Sequence, residues 1–225
     1  MLQAEYFEGS PEHGLVVAAF TGNLQLVQRL LPLVSDINGE ATPGFQHGTP
    51  ASALWWASGN GQAHIVTELL KHEDIDIDKK RMSDGSTALM CACRWGQVKV
   101  AQILLVHGAN ILLRKNSGRT ALVFALGRHT IDNYLNRIVL SPVNWRHKLV
   151  MALLMHYPQS QLESAIKETQ KRRPGLLTSE DILLLRQAPA LQELCKKSIV
   201  LYTRKKSIES LPLPKRLKSY LLTVE

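Results

Sequence analysis

Cysteine is scarce in this chain, with three in 225 residues: Cys91, Cys93 and Cys195. So odd and sparse a count excludes a disulfide-stapled scaffold and fits a reducing compartment. Long apolar runs are missing too. No stretch of eighteen consecutive apolar residues occurs, so the sequence offers no membrane-spanning helix. The opening residues MLQAEYFEGSPEHG hold neither a basic start nor an apolar signal core, and the expected location is the cytosol or the nucleus. The signatures of catalysis are absent as well: there is no phosphate-cradling glycine loop, no nucleophile elbow and no H-E-x-x-H. An enzyme is therefore not expected, and no cofactor is implied.

Two apparent metal motifs dissolve on inspection. Cys91 and Cys93 form a C-x-C, but residues two apart on a helix point to different faces, and no second Cys/His pair stands at ligand spacing. They read as core cysteines. Asp74, Asp76 and Asp78 suggest calcium, yet a loop counted from Asp74 has Lys79 where the turn glycine belongs and Gly85 where the closing glutamate belongs. The alternating I-D-I-D reads instead as an extended loop strand.

What the chain does have is 45% hydrophobic residues, enough for a sizeable core, and a net charge of +8. The excess is uneven. Residues 161–225 carry thirteen Lys/Arg against seven Asp/Glu, and residues 1–160 carry fourteen against twelve. The basic residues of the tail alternate with an apolar stripe, which favours a solvated helix face or an acidic protein partner over nucleic acid.

The front two-thirds repeats itself. Gly22, Gly61 and Gly96 each have Ala four residues earlier (Ala18, Ala57, Ala92) and Leu seven earlier (Leu15, Leu54, Leu89). Each is followed by apolar pairs at plus four and five (Leu26/Val27, Ile65/Val66, Val100/Ala101) and by leucine pairs at plus eight and nine (Leu30/Leu31, Leu69/Leu70, Leu104/Leu105). The spacings are 39 and 35 residues, and a fourth unit opens at Gly118-Arg119-Thr120-Ala121-Leu122. Small alanines let two short helices approach, glycine turns the chain between them, and the Leu/Ile/Val face can be covered only by a neighbouring unit.

These units resemble ankyrin repeats, most closely in DGSTALMCACRWGQVKVAQILLVHGAN. The resemblance implies an all-α solenoid of about four repeats, some degenerate, over residues 5–157. Departures are Ala88 and Ala121 in place of the usual Pro, and Trp55, Met90 and Val123 in place of the usual His. The fourth unit has His129 at its anchor position and the insertion IDNYLNRIVLSPVNW before its second helix, so a distorted or capping unit is expected. By the family pattern, the residues before each anchor and the turn tips face a concave groove. The candidate target-binding residues are Phe20, Trp56, Asn60, Arg94, Trp95, Arg119 and Arg128. Gly59 and Gly127 belong to the same positions. Trp55 reads as filler between repeats, whereas Trp95 serves either as filler or as an interface anchor.

Residues 158–188 read as a bridge of capping helices, broken by Pro158 and Pro174-Gly175, with Thr178-Ser179-Glu180-Asp181 as a helix cap. Beyond it, Leu191, Leu194, Cys195 and Ile199 lie at i, i+3, i+4 and i+8, one stripe of a helix. Alone, that stripe reads as a terminal helix docked on its own domain. Leu211-Pro212-Leu213-Pro214 follows, then Leu217, Tyr220 and Leu221 as a second stripe, with Pro214 suited to the first position of a helix.

Both halves, in this order and after the repeats, resemble a SOCS box over residues 189–225, and the whole resembles the ankyrin repeat and SOCS box family. Ala190 stands where Ser, Thr or Pro is usual. The resemblance implies that Leu191, Leu194, Cys195 and Ile199 bind elongin B/C. It implies that Leu211, Pro212, Leu213 and Pro214 select cullin-5 with its RING partner, and that the repeats hold a protein target for ubiquitination. Two other readings remain: an ankyrin adaptor whose tail caps its own repeats, and a nucleic-acid binder using the basic tail.

Overall fold

Three glycines in the left-handed region set the architecture. Gly22, Gly61 and Gly96 have φ of 84°, 74° and 71°, a conformation that costs a side-chain-bearing residue about 1–2 kcal/mol. Each turns the chain between two short helices: α1 (Pro11–Thr21) and α2 (Leu24–Leu30), α3 (Ala53–Gly59) and α4 (Ala63–Leu69), α5 (Ala88–Trp95) and α6 (Val98–Val106). A fourth pair is α7 (Ala121–Leu126) and α8 (Asn144–Met155), and α9 spans Gln159–Arg172. The computed structural model describes residues 10–44, 49–127, 144–183 and 185–186. The chain divides into two compact units, residues 1–153 and 154–225.

The turn is the same in each complete repeat. The N–H of the residue after the glycine donates back to the carbonyl of the recurring alanine: Asn23 to Ala18, Gln62 to Ala57 and Gln97 to Ala92, each at 2.9 Å. This six-residue closure satisfies carbonyls that a helix end leaves open. It also explains the alanines, which are completely buried where the helices meet. The helix starts are capped in register as well: Ser10, Ser52 and Thr87 accept from the N–H groups of His13, Trp55 and Met90.

Stacking follows from the apolar face. The first helices α1, α3, α5 and α7 form one row and α2, α4 and α6 a second. Leu15, Leu54, Leu89 and Leu122 recur at the centre of the first row, each at most 2% exposed. Ile65, Val66, Leu69, Val100, Ala101, Leu104 and Leu105 fill the second row. Leu30 and Leu31, in the first of the described repeats, are half-buried.

Adjacent repeats are also joined at the loops. Asp36, Asp76 and Asn110 each accept from the N–H two residues on. Asn38 Oδ1 then accepts from the N–H of Asp76, and the Asp78 carboxylate from the N–H of Asn110, both at 2.8 Å. The extended strand expected at residues 74–78 does not form. Side-chain oxygens capture these amides as turns, which competes with strand pairing. Among the described residues the strand ladder is β1 (Glu40–Ala41) against β2 (Ala51–Ser52), antiparallel, within the long first loop.

The fourth unit is distorted, as expected. Its first helix, α7, closes at Gly127 (φ −59°), two positions before the anchor position, and not on a left-handed residue. Instead Arg146, from α8, donates to the carbonyls of Ala125 and Gly127 and caps α7 with a guanidinium. The neighbouring Trp145 ring covers Gly96, and a Cβ added to Gly96 would lie 2.8 Å from it. His129 lies outside the described residues.

In the second unit, α9 begins after Pro158 and ends before Pro174-Gly175, where Gly175 has φ 79°. Thr178 and Asp181 then form the expected reciprocal cap. The Thr178 N–H and hydroxyl donate to the Asp181 carboxylate at 2.8 Å, and Thr178 Oγ1 accepts from the Asp181 N–H at 3.1 Å. Arg186 returns to Glu163 of α9 as a two-pronged ion pair at 2.7 and 3.1 Å.

The turn geometry predicts that Gly96→Ala destabilises the chain more than Gly118→Ala. Both glycines have positive φ, but no atom lies within 4 Å of a Cβ on Gly118, whereas the Trp145 ring meets one on Gly96. Urea unfolding followed by tryptophan fluorescence should show a loss of about 1–2 kcal/mol for Gly118→Ala and a larger loss for Gly96→Ala. Equal losses would contradict the close Trp145 contact.

Candidate functional site

The exposed face of the first-helix row carries aromatic and cationic side chains. Phe20 of α1 and Trp95 of α5 are each 39% exposed, a large apolar surface to leave in water. Trp56 of α3 is half-buried and meets Phe20 edge-on, with ring centroids 5.2 Å apart. Trp55 meets Trp56 in the same way at 5.1 Å. The Arg94 guanidinium lies 5.8 Å from the centre of the Trp95 ring.

Not every residue expected on this face is free to meet a partner. Asn60 donates its amide to the Phe20 carbonyl at 2.9 Å and so ties the second repeat to the first. Gly59, expected in the groove, is buried. A Cβ there would fall 2.8 Å from Cys91 Sγ and 3.5 Å from Trp95 Cδ1, so its missing side chain is what lets α5 close on α3. Arg119 is exposed at a turn tip. Arg128 lies outside the described residues.

Beside this ridge the structure assembles a polar cluster that sequence reading did not join. The Trp55 indole N–H donates to Ser86 Oγ at 3.1 Å, and Ser86 donates to Asp84 at 2.6 Å. Asp84 pairs with Lys115 at 2.8 Å. The Arg81 guanidinium covers the Trp55 ring at 4.5 Å, and the Lys115 ammonium stands 5.7 Å from the centre of the Phe124 ring. Trp55, read as filler, does fill the space between repeats, but it is also the centre of this network. The only sequence signal was that Asp84 and Lys115 occupy the tips of consecutive turns.

The electrostatics follow from this network and from burial. Partial burial alone would raise the Asp84 pKa. The Lys115 ammonium, the Ser86 hydroxyl and the Ser86 N–H outweigh it and hold the carboxyl down at about 2. Burial pushes the Cys91 thiol up to about 12 and raises Cys93 likewise. Both are protonated core residues, without the thiolate character of a nucleophile.

The comparisons with known proteins meet this geometry. Residues 15–115 match the ankyrin-repeat family over three copies, and residues 187–222 match the SOCS box. The chain is an ankyrin-repeat and SOCS-box protein. The expected elongin-binding Leu191, Leu194, Cys195 and Ile199 and cullin-binding Leu211, Pro212, Leu213 and Pro214 fall within the SOCS-box match but outside the described residues.

Relatives of this ankyrin-repeat and SOCS-box protein include a rice protein named "Probable E3 ubiquitin-protein ligase XBOS33", 39% identical over 49% of this chain and 20% of that protein. The mouse "Ankyrin repeat and SAM domain-containing protein 6" is 32% identical over 53% of this chain and 13% of its own length. The nematode (Caenorhabditis elegans) "Ankyrin repeat and KH domain-containing protein mask-1" is 34% identical over 75% of this chain and 6% of its own length. The chain thus spans a fifth or less of each of these three relatives.

The depressed pKa gives the Asp84–Lys115 pair a pH signature. A carboxyl whose folded pKa is about 2 against an ordinary value of about 3.9 contributes stability that is present above the ordinary value. That contribution is lost as pH falls through the folded one. Asp84→Asn should therefore cost about 1 kcal/mol at neutral pH, a discounted figure for a half-exposed pair. The gap to the parent should close as pH falls from about 5 toward 2. Urea unfolding of both proteins across that range checks it, and a gap independent of pH would contradict the pairing.

Proposed function

We propose that this protein is a substrate-recognition adaptor of a cullin–RING ubiquitin ligase. In this reading the exposed face of the ankyrin repeats holds a target protein, and the SOCS box holds elongin B/C and, through its second half, cullin-5 with its RING partner. The observation that carries the reading is a SOCS-box match C-terminal to an ankyrin-repeat match in one chain. The aromatic and arginine ridge supports the target-binding half, because Trp and Arg dominate the energetics of protein interfaces. The scarcity of cysteine, with Cys91 and Cys93 buried as free thiols, supports action in the cytosol or nucleus.

The division of labour needs no catalytic group in this chain. Its contribution is proximity: a target held on one surface and a ubiquitin-charged enzyme recruited through the other meet at a raised effective concentration. Within the SOCS box, Leu191, Leu194, Cys195 and Ile199 form the helical stripe that enters elongin C. Leu211-Pro212-Leu213-Pro214 favours cullin-5 over cullin-2.

Burial of one leucine in such a groove is worth about 1.5–3 kcal/mol, or roughly a tenfold to hundredfold change in affinity. Leu191→Ala combined with Cys195→Ala should therefore abolish elongin co-purification while circular dichroism shows the repeats still folded. Undiminished co-purification would reject the assignment. On the repeats, Arg94→Ala with Trp95→Ala should release co-purified target proteins while elongin stays bound, and retention of every partner would remove this face from the account.

A further inference from the structure

The charge on the exposed face narrows what it can hold, on the reading that this face is the target surface. Arg94 and Arg119 are exposed and have no carboxylate partner among the described residues. Arg81 is spread over the Trp55 ring and donates to the Pro50 carbonyl, so its charge is likewise unmatched by an acid. Lys115 alone is neutralised, by Asp84. The carboxylates of Glu40 and Asp78 are engaged by backbone, accepting from the N–H groups of Met82 and Asn110, each at 2.8 Å. Of these four cations, Lys115 alone is paired with a carboxylate among the described residues.

The cations lie on neighbouring elements. Arg94 and Lys115 line one depression, and Arg119 shares a turn with Lys115, whose N–H donates to the Arg119 carbonyl at 3.0 Å. Arg94, Lys115, Trp55 and Phe124 line one shallow depression together with Asp84. The Arg94 guanidinium also lies 5.8 Å from the exposed Trp95 ring.

We propose that the target segment seated here is an acidic stretch of polypeptide, with at least one Asp or Glu beside an aromatic or aliphatic residue. A guanidinium presents a planar fork of donors that matches a carboxylate in two-point contact. Its position by an indole ring supplies apolar surface for the adjoining side chain. Asp84 illustrates the chemistry within the chain, since it is the carboxylate that this cationic surface has already captured. Nucleic acid fits the face less well. The bulk of the protein's positive excess lies in residues 161–225, and the face offers single arginines among aromatics, not a continuous phosphate-tracking stripe.

The test pans a phage library of random dodecamer peptides on the purified full chain. Binding of the selected synthetic peptides is then measured by fluorescence anisotropy. The proteins compared are the parent, Arg94→Glu with Arg119→Glu, and Trp95→Ala, each checked for folding by circular dichroism. Selected peptides should be enriched in Asp or Glu next to aromatic or aliphatic residues. They should bind the charge-reversed protein at least about tenfold more weakly than the parent, and replacing their acids by amides should weaken them similarly. Peptides without acidic enrichment, or acidic peptides that bind the charge-reversed protein as tightly as the parent, overturn the proposal. If such neutral peptides still lose binding to Trp95→Ala, the acidic preference fails and the target surface stands. If all selected peptides ignore both variants, the target surface fails with it.

Discussion

A glycine held at positive φ where each first helix ends is the constraint on which this structure depends. At Gly22, Gly61 and Gly96 the left-handed residue lets the next amide reach back to a buried alanine carbonyl. One turn therefore fixes three things. It sets the angle at which the second helix leaves, it demands a side chain no larger than Ala where the helices touch, and it aims the residues just before it out of the core. Phe20, Asn60, Arg94 and Trp95 stand at those positions. The exposed face they share is thus a geometric by-product of the same turn that holds the repeats together.

The fourth pair closes its first helix by another device. Gly127 stays outside the left-handed region, and the cap of α7 comes from Arg146. A guanidinium can satisfy helix carbonyls as backbone N–H groups do, since both are donors. Trp145, beside it, takes the place over Gly96 that Gln62 and Gln97 take over Gly22 and Gly61. A charged and an aromatic residue from an irregular unit thereby serve the role that a regular repeat assigns to a turn and an amide.

This pattern also explains what could be read from the chain alone. The anchor glycines, the alanines and the leucine pairs were legible because each answers a local steric demand that recurs at a fixed interval. Gly59 was misplaced because its burial depends on Cys91 and Trp95 of the next repeat, which no local rule supplies. Asp74, Asp76 and Asp78 were read as a strand because alternation is the signature of a pleated segment. Capture of the neighbouring amides by Asn38 and Asp78 is a contact between repeats. The Asp84–Lys115 pair joins residues 31 positions apart, and the Trp55–Ser86 bond does the same. These are tertiary facts, and only their turn-tip placement was visible beforehand.

The chain joins two parts of different character: a repeat stack with a face of aromatics and arginines, and a SOCS-box segment whose sequence carries apolar residues at helical spacing. The claim that they serve separate partners is tested most directly by affinity purification of the full chain and of a chain ending at residue 186, read by quantitative mass spectrometry. The account predicts that elongin B/C and cullin-5 vanish with the tail while a second group of proteins is retained in equal amount. An unchanged partner list, with elongin and cullin still bound to the shortened chain, would contradict it.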